Sequence, residues 1–209
     1  MDKRELLQNL KKQGFVEKII EAFSKTKRES FIKHDLQNFA YEDIALPIGE
    51  GETISQPSTI AFMLSLLRFH ENQKVMEVGS GCGYVLALIS EIVGRNGKVF
   101  GLEVSKKLAE KSRENLKGYR NVSVFNKNGK YGLAREAPFD RILISAALEK
   151  IPDILLNQLK EEGIIVAPIG PIQMQILTSI RKHENHLFVL KRLPGFIFVP
   201  FIDWLWKLK

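Results

Sequence analysis

The sequence predicts an α/β fold: a mostly parallel, Rossmann-like central sheet with helices on both faces and helices added at the N-terminus. Three observations carry this. From residue 75 onward, short apolar runs alternate with helical stretches. A glycine-rich turn joins the first run to a helix that is apolar nearly all round. The first forty residues have a helical period.

Taken in order, Leu6 and Leu10 lie four apart, and Val16, Ile19, Ile20 and Phe23 repeat at helical spacing; Gly14 divides the region into two helices. Residues 41–58 hold Pro47, Gly49, Gly51 and Pro57 without a helical period, which predicts a loop with at most a short extended piece. Residues 59–69 predict a helix. Val75–Val78 predicts the first strand and residues 84–93 the buried helix after it. Lys98–Leu102 is the second strand, and residues 105–117 a charged helix with Ser105 as its N-cap. Val122–Phe125 and Arg141–Ser145 follow as strands. Pro152 fits the first turn of a helix reaching about Lys160, and Ile164–Ala167 the fifth strand. Ile176–Ile180 and Leu187–Leu190 predict a hairpin around His183–His186. Residues 1–58 are expected to pack, as helices and a lid loop, on an α/β domain of residues 59–209, forming one compact unit.

Composition narrows the function classes. The 209 residues are 44% hydrophobic and 26% charged, which argues against disorder. No apolar run reaches the roughly 18 residues of a membrane helix, and the charged N-terminus lacks a signal-peptide core, so a cytoplasmic protein is expected. A single cysteine, Cys82, excludes an internal disulfide framework and a cysteine-rich metal site. The net charge of +7 is concentrated in residues 104–135, where nine Lys and Arg face only Glu110 and Glu114. That stretch would suit an acidic partner, but a solvated helix face explains it as well.

The strongest local signal is Val75-Met-Glu-Val-Gly-Ser-Gly-Cys-Gly-Tyr84. Gly79, Gly81 and Gly83 fall between a strand and a helix, where backbone can approach a ligand closely. Glu103 ends the next strand and suits the hydroxyls of a ribose. A dinucleotide fingerprint would need a third glycine at Tyr84. Glu77, two residues before the first glycine, would repel a pyrophosphate and attract an ammonium. The pattern therefore favours S-adenosylmethionine over NAD, with another nucleotide or a plain structural turn as the alternatives.

Longer segments resemble one family. Residues 40–58, with Thr53-Ile54-Ser55-Gln56-Pro57, are similar to the signature loop of protein-L-isoaspartate O-methyltransferases. Arg28-Glu-Ser-Phe31 before it, residues 137–148 and 151–170 after it, and Phe198-Val199-Pro200 resemble the same family in order. The resemblance implies an S-adenosylmethionine-dependent methyltransferase fold. It implies methyl transfer to L-isoaspartyl carboxylates of damaged proteins and peptides, a repair activity, and a chain expected to act as a monomer, with a dimer as the other option. It makes Ser55 the active-site serine, with Thr53 and Ile54 in the same loop. Glu77, Gly79, Ser80, Gly81 and Gly83 match the donor-binding turn, and Glu103, followed by Val104, the ribose acid. Asn128-Gly129 stands where the family has Asp-Gly against the adenine amino group. An amide oxygen accepts the same hydrogen bond without charge assistance, so weakened donor binding is expected.

Other chemistries have less support. No pair among His34, His70, His183 and His186 shows a metal-ligand spacing, and no carboxylate set is evident beside them. His183 and His186 are expected to flank the surface turn Glu184-Asn185. A nucleic-acid methyltransferase is supported only by the basic stretch, since the strand ending Ile144-Ser145-Ala146-Ala147 lacks an Asn/Asp-Pro-Pro-aromatic motif. A non-catalytic relative that binds the donor is the remaining alternative. In the aromatic tail, residues 196–209, Phe198 is expected in an internal strand and Trp204 and Trp206 packed over the domain or a partner chain.

Overall fold

The computed structural model describes residues 1–201. Helices α1 (Lys3–Lys12) and α2 (Glu17–Lys25) open the chain, followed by 3-10 turns at Arg28–Phe31 and His34–Phe39. Asp2 and Glu5 form a capping box on α1, and Gly14, at φ 84°, separates it from α2. The expected loop at 41–58 holds a small antiparallel hairpin, β1 (Leu46–Gly49) and β2 (Glu52–Ile54). Gly49, Glu50 and Gly51 all take positive φ at its tip, which explains the glycines there. Helix α3 (Pro57–Leu66) starts on Pro57, whose fixed φ suits a first turn.

The main sheet has seven strands: β3 (Lys74–Val78), β4 (Lys98–Glu103), β5 (Val122–Asn126), β6 (Phe139–Ile144), β7 (Leu159–Ile169), β8 (Gln175–His183) and β9 (His186–Phe196). Their spatial order is β5-β4-β3-β6-β7-β8-β9, with β3 through β7 parallel and β8 and β9 antiparallel. From β3 the chain winds one way to β4 and β5, then crosses to β6 on the other side. The carboxyl ends of β3 and β6 therefore border a topological switch point, where open α/β sheets bind ligands.

Helix α4 (Tyr84–Val93) lies against one face of the sheet, under α2 and α3, and Leu86, Ala87, Leu88, Ile89 and Val93 are fully buried there. Burial on all sides explains why it lacks a polar stripe. Helix α5 (Lys106–Asn115) packs on β4 and β5, with Ser105 Oγ accepting from Leu108 N–H as its cap. The other face is covered by the five-residue helix α6 (Asp153–Asn157) and the segment after Gly129, over Met76, Phe100, Phe139 and Ile142.

Three expected boundaries move. The helix from Pro152 ends at Asn157, not near Lys160, because the Gln158 carbonyl accepts Phe139 N–H and Leu159 pairs with Phe139. β7 consequently begins five residues before Ile164, through an irregular stretch in which Glu162 has φ 61°. The β8–β9 hairpin is much longer than expected, turning at Glu184-Asn185, both at positive φ as a tight two-residue turn requires. Phe198 is buried, but its neighbourhood forms a single bridge, Ala147 to Pro200, and not a strand. Trp204 and Trp206 lie outside the described residues. Among the described residues, no helix is long and apolar enough to cross a membrane.

Candidate active site

A trench runs along the switch point in three connected parts. The first, about 610 Å³ including its open mouth, lies among Gly79, Gly81, Glu103, Val104, Asn128 and Gly129, with Ile48, Glu52 and Thr53 of the hairpin on one side and Val199 to Phe201 on another. The second, about 400 Å³, is deeper and reaches Glu77, Ser80, Ile54 and Ser55. The third, about 720 Å³, opens outward past Ser55, Gln56, Thr59 and Phe198. Thr53 and Ser145 border all three.

The glycine turn supplies the floor. Gly79 and Gly81 take φ 81° and 51°, and a Cβ on Gly81 would come within 3.0 Å of Ile48 Cδ1, so the hairpin rests directly on the turn. Gly129 presses on β3, since a Cβ there would meet Val78 Cγ1 at 2.1 Å. Gly83 belongs elsewhere. Its φ of 87° starts α4, and a Cβ would meet Ser112 Oγ at 2.5 Å and Leu116 Cδ1 at 2.7 Å. It lets α5 approach α4 and is not among the residues that line the three parts of the trench.

Two acids give the trench its electrostatics. Glu103, 5% exposed, accepts Gly81 N–H at Oε2 and Ser105 N–H at Oε1, both at 2.8 Å. These bonds fix the carboxylate at the cavity wall, and a carboxylate accepts about four hydrogen bonds in all. Glu77 is 1% exposed; its Oε1 accepts the Ser145 hydroxyl at 2.7 Å, and its Oε2 is buried with no hydrogen-bond partner. Burial pushes this carboxyl up to about 8. An orphaned carboxylate oxygen beside a cavity is what an ammonium group would satisfy. Ser80 Oγ, in the same deep part, is also buried without a partner.

Asn128 caps the 3-10 turn Gly129–Tyr131, its Oδ1 accepting Lys130 N–H at 3.0 Å, and it borders the outer cavity. Burial pushes the Cys82 thiol up to about 11, which leaves it protonated and unreactive at neutral pH. Ser55 is half-buried where the deep and outward parts meet, and its carbonyl accepts Arg28 Nη1–H at 3.0 Å.

The structure thus brings together Thr53, Ile54, Ser55, Glu77, Gly79, Ser80, Gly81, Glu103, Val104, Asn128 and Gly129. The sequence reading missed Ser145 and Arg28 as well as the hairpin residues Ile48 and Glu52. Ser145 was within reach, because it follows the strand that borders the switch point. The histidine reading also needs amending: Glu161 and Glu162 come beside His183, with ligand atoms within 4.8 Å of one another. The two glutamates are exposed on β7 and His183 is half-buried at the end of β8, far from the trench, and Arg181 already lies 3.7 Å from Glu162.

The sheet order, the glycine turn and the two acids define the S-adenosylmethionine-dependent methyltransferase class of α/β fold. Within that class, the chain matches the family described as protein-L-isoaspartate(D-aspartate) O-methyltransferase (PCMT) over residues 1–205. A protein-L-isoaspartate O-methyltransferase of Ignicoccus hospitalis is 41% identical over 206 residues, covering 96% of this chain and 97% of the relative. A solved protein-L-isoaspartate O-methyltransferase superposes with a TM-score of 0.88 at 30% identity; it matches 95% of this chain, which spans 65% of that longer chain. A Plasmodium falciparum protein described as a beta-aspartate methyltransferase (PCMT), solved with S-adenosyl-L-homocysteine, has a TM-score of 0.82 at 27% identity over 97% of this chain and 99% of its own. The chain belongs to the protein-L-isoaspartate(D-aspartate) O-methyltransferase family.

Proposed function

We propose that this chain transfers the methyl group of S-adenosylmethionine to the side-chain carboxylate of L-isoaspartyl residues in damaged proteins and peptides, as a cytoplasmic monomer with every site residue supplied by one chain. The observation that carries this reading is the continuity of the acid-lined donor cavity with an outward cleft at Ser55 and Ser145. The N-terminal segment 1–58 is then the substrate-side cover of the α/β domain, with its hairpin as the lid.

S-adenosylmethionine supplies an electrophilic methyl group on a positively charged sulfur. Glu103 accepts hydrogen bonds from its ribose, and Glu77, in its ionised form, pairs with its ammonium. Asn128 and Gly129 border the adenine, with Val104 beside them. Ser55 donates its hydroxyl hydrogen to one oxygen of the isoaspartyl carboxylate. The other oxygen attacks with a lone pair; the C–S bond breaks and its electrons stay on sulfur, giving a methyl ester and S-adenosylhomocysteine. A carboxyl with a reference pKa near 4 is already ionised at neutral pH, so no general base is required. The chain's contribution is in-line placement and exclusion of water by Ile48 and Phe198. The ester is a better leaving group than the acid. Attack by the following backbone nitrogen expels methanol and closes a succinimide, whose hydrolysis returns part of the material as normal aspartate.

The test is mass spectrometry of an isoaspartyl peptide incubated with the protein and S-adenosylmethionine. The expected product carries one methyl group on the isoaspartyl carboxyl and loses it in mild base. A base-stable methyl group, or methylation of added DNA or RNA with the peptide untouched, would refute the reading.

A further inference from the structure

We propose that Arg28 is a positioning residue for methyl transfer: its buried guanidinium ties together the two ends of the β1–β2 hairpin and, through the Ser55 carbonyl, holds the serine that receives the substrate carboxylate. The inference rests on the reading of Ser55 given above.

Arg28 is 0% exposed in the 3-10 turn Arg28–Phe31. Nη1 donates to the Ser55 carbonyl at 3.0 Å and Nη2 to the Ile44 carbonyl at 3.3 Å. Ile44 and Ser55 bracket the hairpin, which spans Leu46–Ile54. One planar group therefore spans the base of the lid, and its rigid fork sets the separation of the two carbonyls. The guanidinium lies over the Tyr84 ring, 5.3 Å from its centroid, which locks the fork against α4.

The choice of residue is costly. Among the described residues, no carboxylate lies within ion-pair distance of Arg28, Asp43 acting on it only from farther away, and its Nε is buried without a hydrogen-bond partner. A buried cation whose counter-charge is not in contact is unfavourable, and an apolar side chain would fill the same space at less expense. A mere anchor for the loop does not require it. A fork that fixes two carbonyls at once does, and one of those carbonyls belongs to the serine at the meeting point of the donor and substrate cavities.

The test uses single-turnover rates with an isoaspartyl peptide at saturating S-adenosylmethionine, alongside calorimetry with S-adenosylhomocysteine. Arg28→Lys keeps the charge and loses the fork. It should slow transfer by roughly tenfold or more, the loss of a charge-assisted bond, with product affinity within about twofold of wild type. In the Ser55→Ala background, Arg28→Lys should slow transfer no further, because the residue acts through Ser55. Arg28→Ala, assayed with and without free guanidinium at low millimolar concentration, gives a second arm; guanidinium should restore the rate only when Ser55 is present. Multiplicative losses in the double variant, wild-type turnover by Arg28→Lys, or rescue that ignores Ser55 would each overturn the inference. Wild-type turnover by Ser55→Ala would instead overturn the underlying reading of Ser55.

Discussion

If Glu77 pairs with the donor's ammonium as proposed, it couples donor binding to pH. Its folded-state carboxyl is raised to about 8 from an ordinary 4.5, chiefly by burial. Between those values the unfolded chain has released the proton and the folded one has kept it. The unfolded state therefore binds fewer protons, and stability falls as pH rises through that window, the contribution being complete only below 4.5. Pairing with an ammonium requires the ionised form, so donor or product binding at pH 7 should release a proton. Calorimetry of S-adenosylhomocysteine in two buffers of different ionisation heat should show that release; identical heats would place the ammonium away from Glu77. Glu77→Gln should flatten the dependence of stability on pH and weaken product binding by about tenfold or more. Asn128 presents the opposite case. Its cap on Lys130 N–H is one that aspartate makes equally well, so Asn128→Asp should leave the turn intact and tighten donor binding modestly through a charge-assisted contact. Weaker binding by Asn128→Asp would show that the amide is adapted to its surroundings. At this scale the acids and glycines were legible because each stands at a strand end. Arg28 was not, since nothing in a charged residue's sequence context announces complete burial without a carboxylate partner.

At the scale of elements, the glycine turn divides its labour between two neighbours. Gly79 and Gly81 face the trench and the hairpin, whereas Gly83 faces α5. Gly83→Ala places a Cβ against Ser112 and Leu116 at positive φ, so it should lower stability by roughly 1–3 kcal/mol. Saturating donor should still bind the folded fraction with little change, measured by thermal melts with and without S-adenosylhomocysteine. A large loss of affinity without a loss of stability would place Gly83 in the binding site. The tip of the hairpin meets α5 through Glu50 and Lys107, 3.1 Å apart, but Lys107 is 80% exposed. Exposed pairs of this kind contribute little, so the hairpin's seat is the Ile48–Gly81 contact and the Arg28 clamp at its base. Pro47, Gly49 and Gly51 signalled a break in helix but not a hairpin, because β1 and β2 are too short for an alternating pattern to register. The start of β7 was hidden for a different reason: Lys160, Glu161, Glu162 and Gly163 are polar and irregular, and pairing with β6 holds only on either side of them, at Leu159 and from Ile164 on.

At the scale of the molecule, the parallel sheet and its switch point follow from the alternation of apolar runs with helices, and that alternation was readable throughout β3 to β6. The order of strands places the ends of β3, β4, β5 and β6 around one crevice, which is why residues as far apart as Glu77, Glu103, Asn128 and Ser145 meet. The second face was less legible, since its cover is a five-residue helix and a loop over Phe100 and Phe139. In the proposed reading, donor and substrate enter from opposite ends of one trench whose parts share Thr53 and Ser145, and a carboxylate reached from outside is then the expected acceptor. The most direct measurement is a competition between two peptides of the same sequence, one with L-isoaspartate and one with normal aspartate, for a limiting pool of methyl-labelled S-adenosylmethionine. The site described here should place base-labile label on the isoaspartyl peptide by roughly tenfold or more over its twin. Equal labelling of the two peptides, or none on either while S-adenosylhomocysteine still binds, would contradict it.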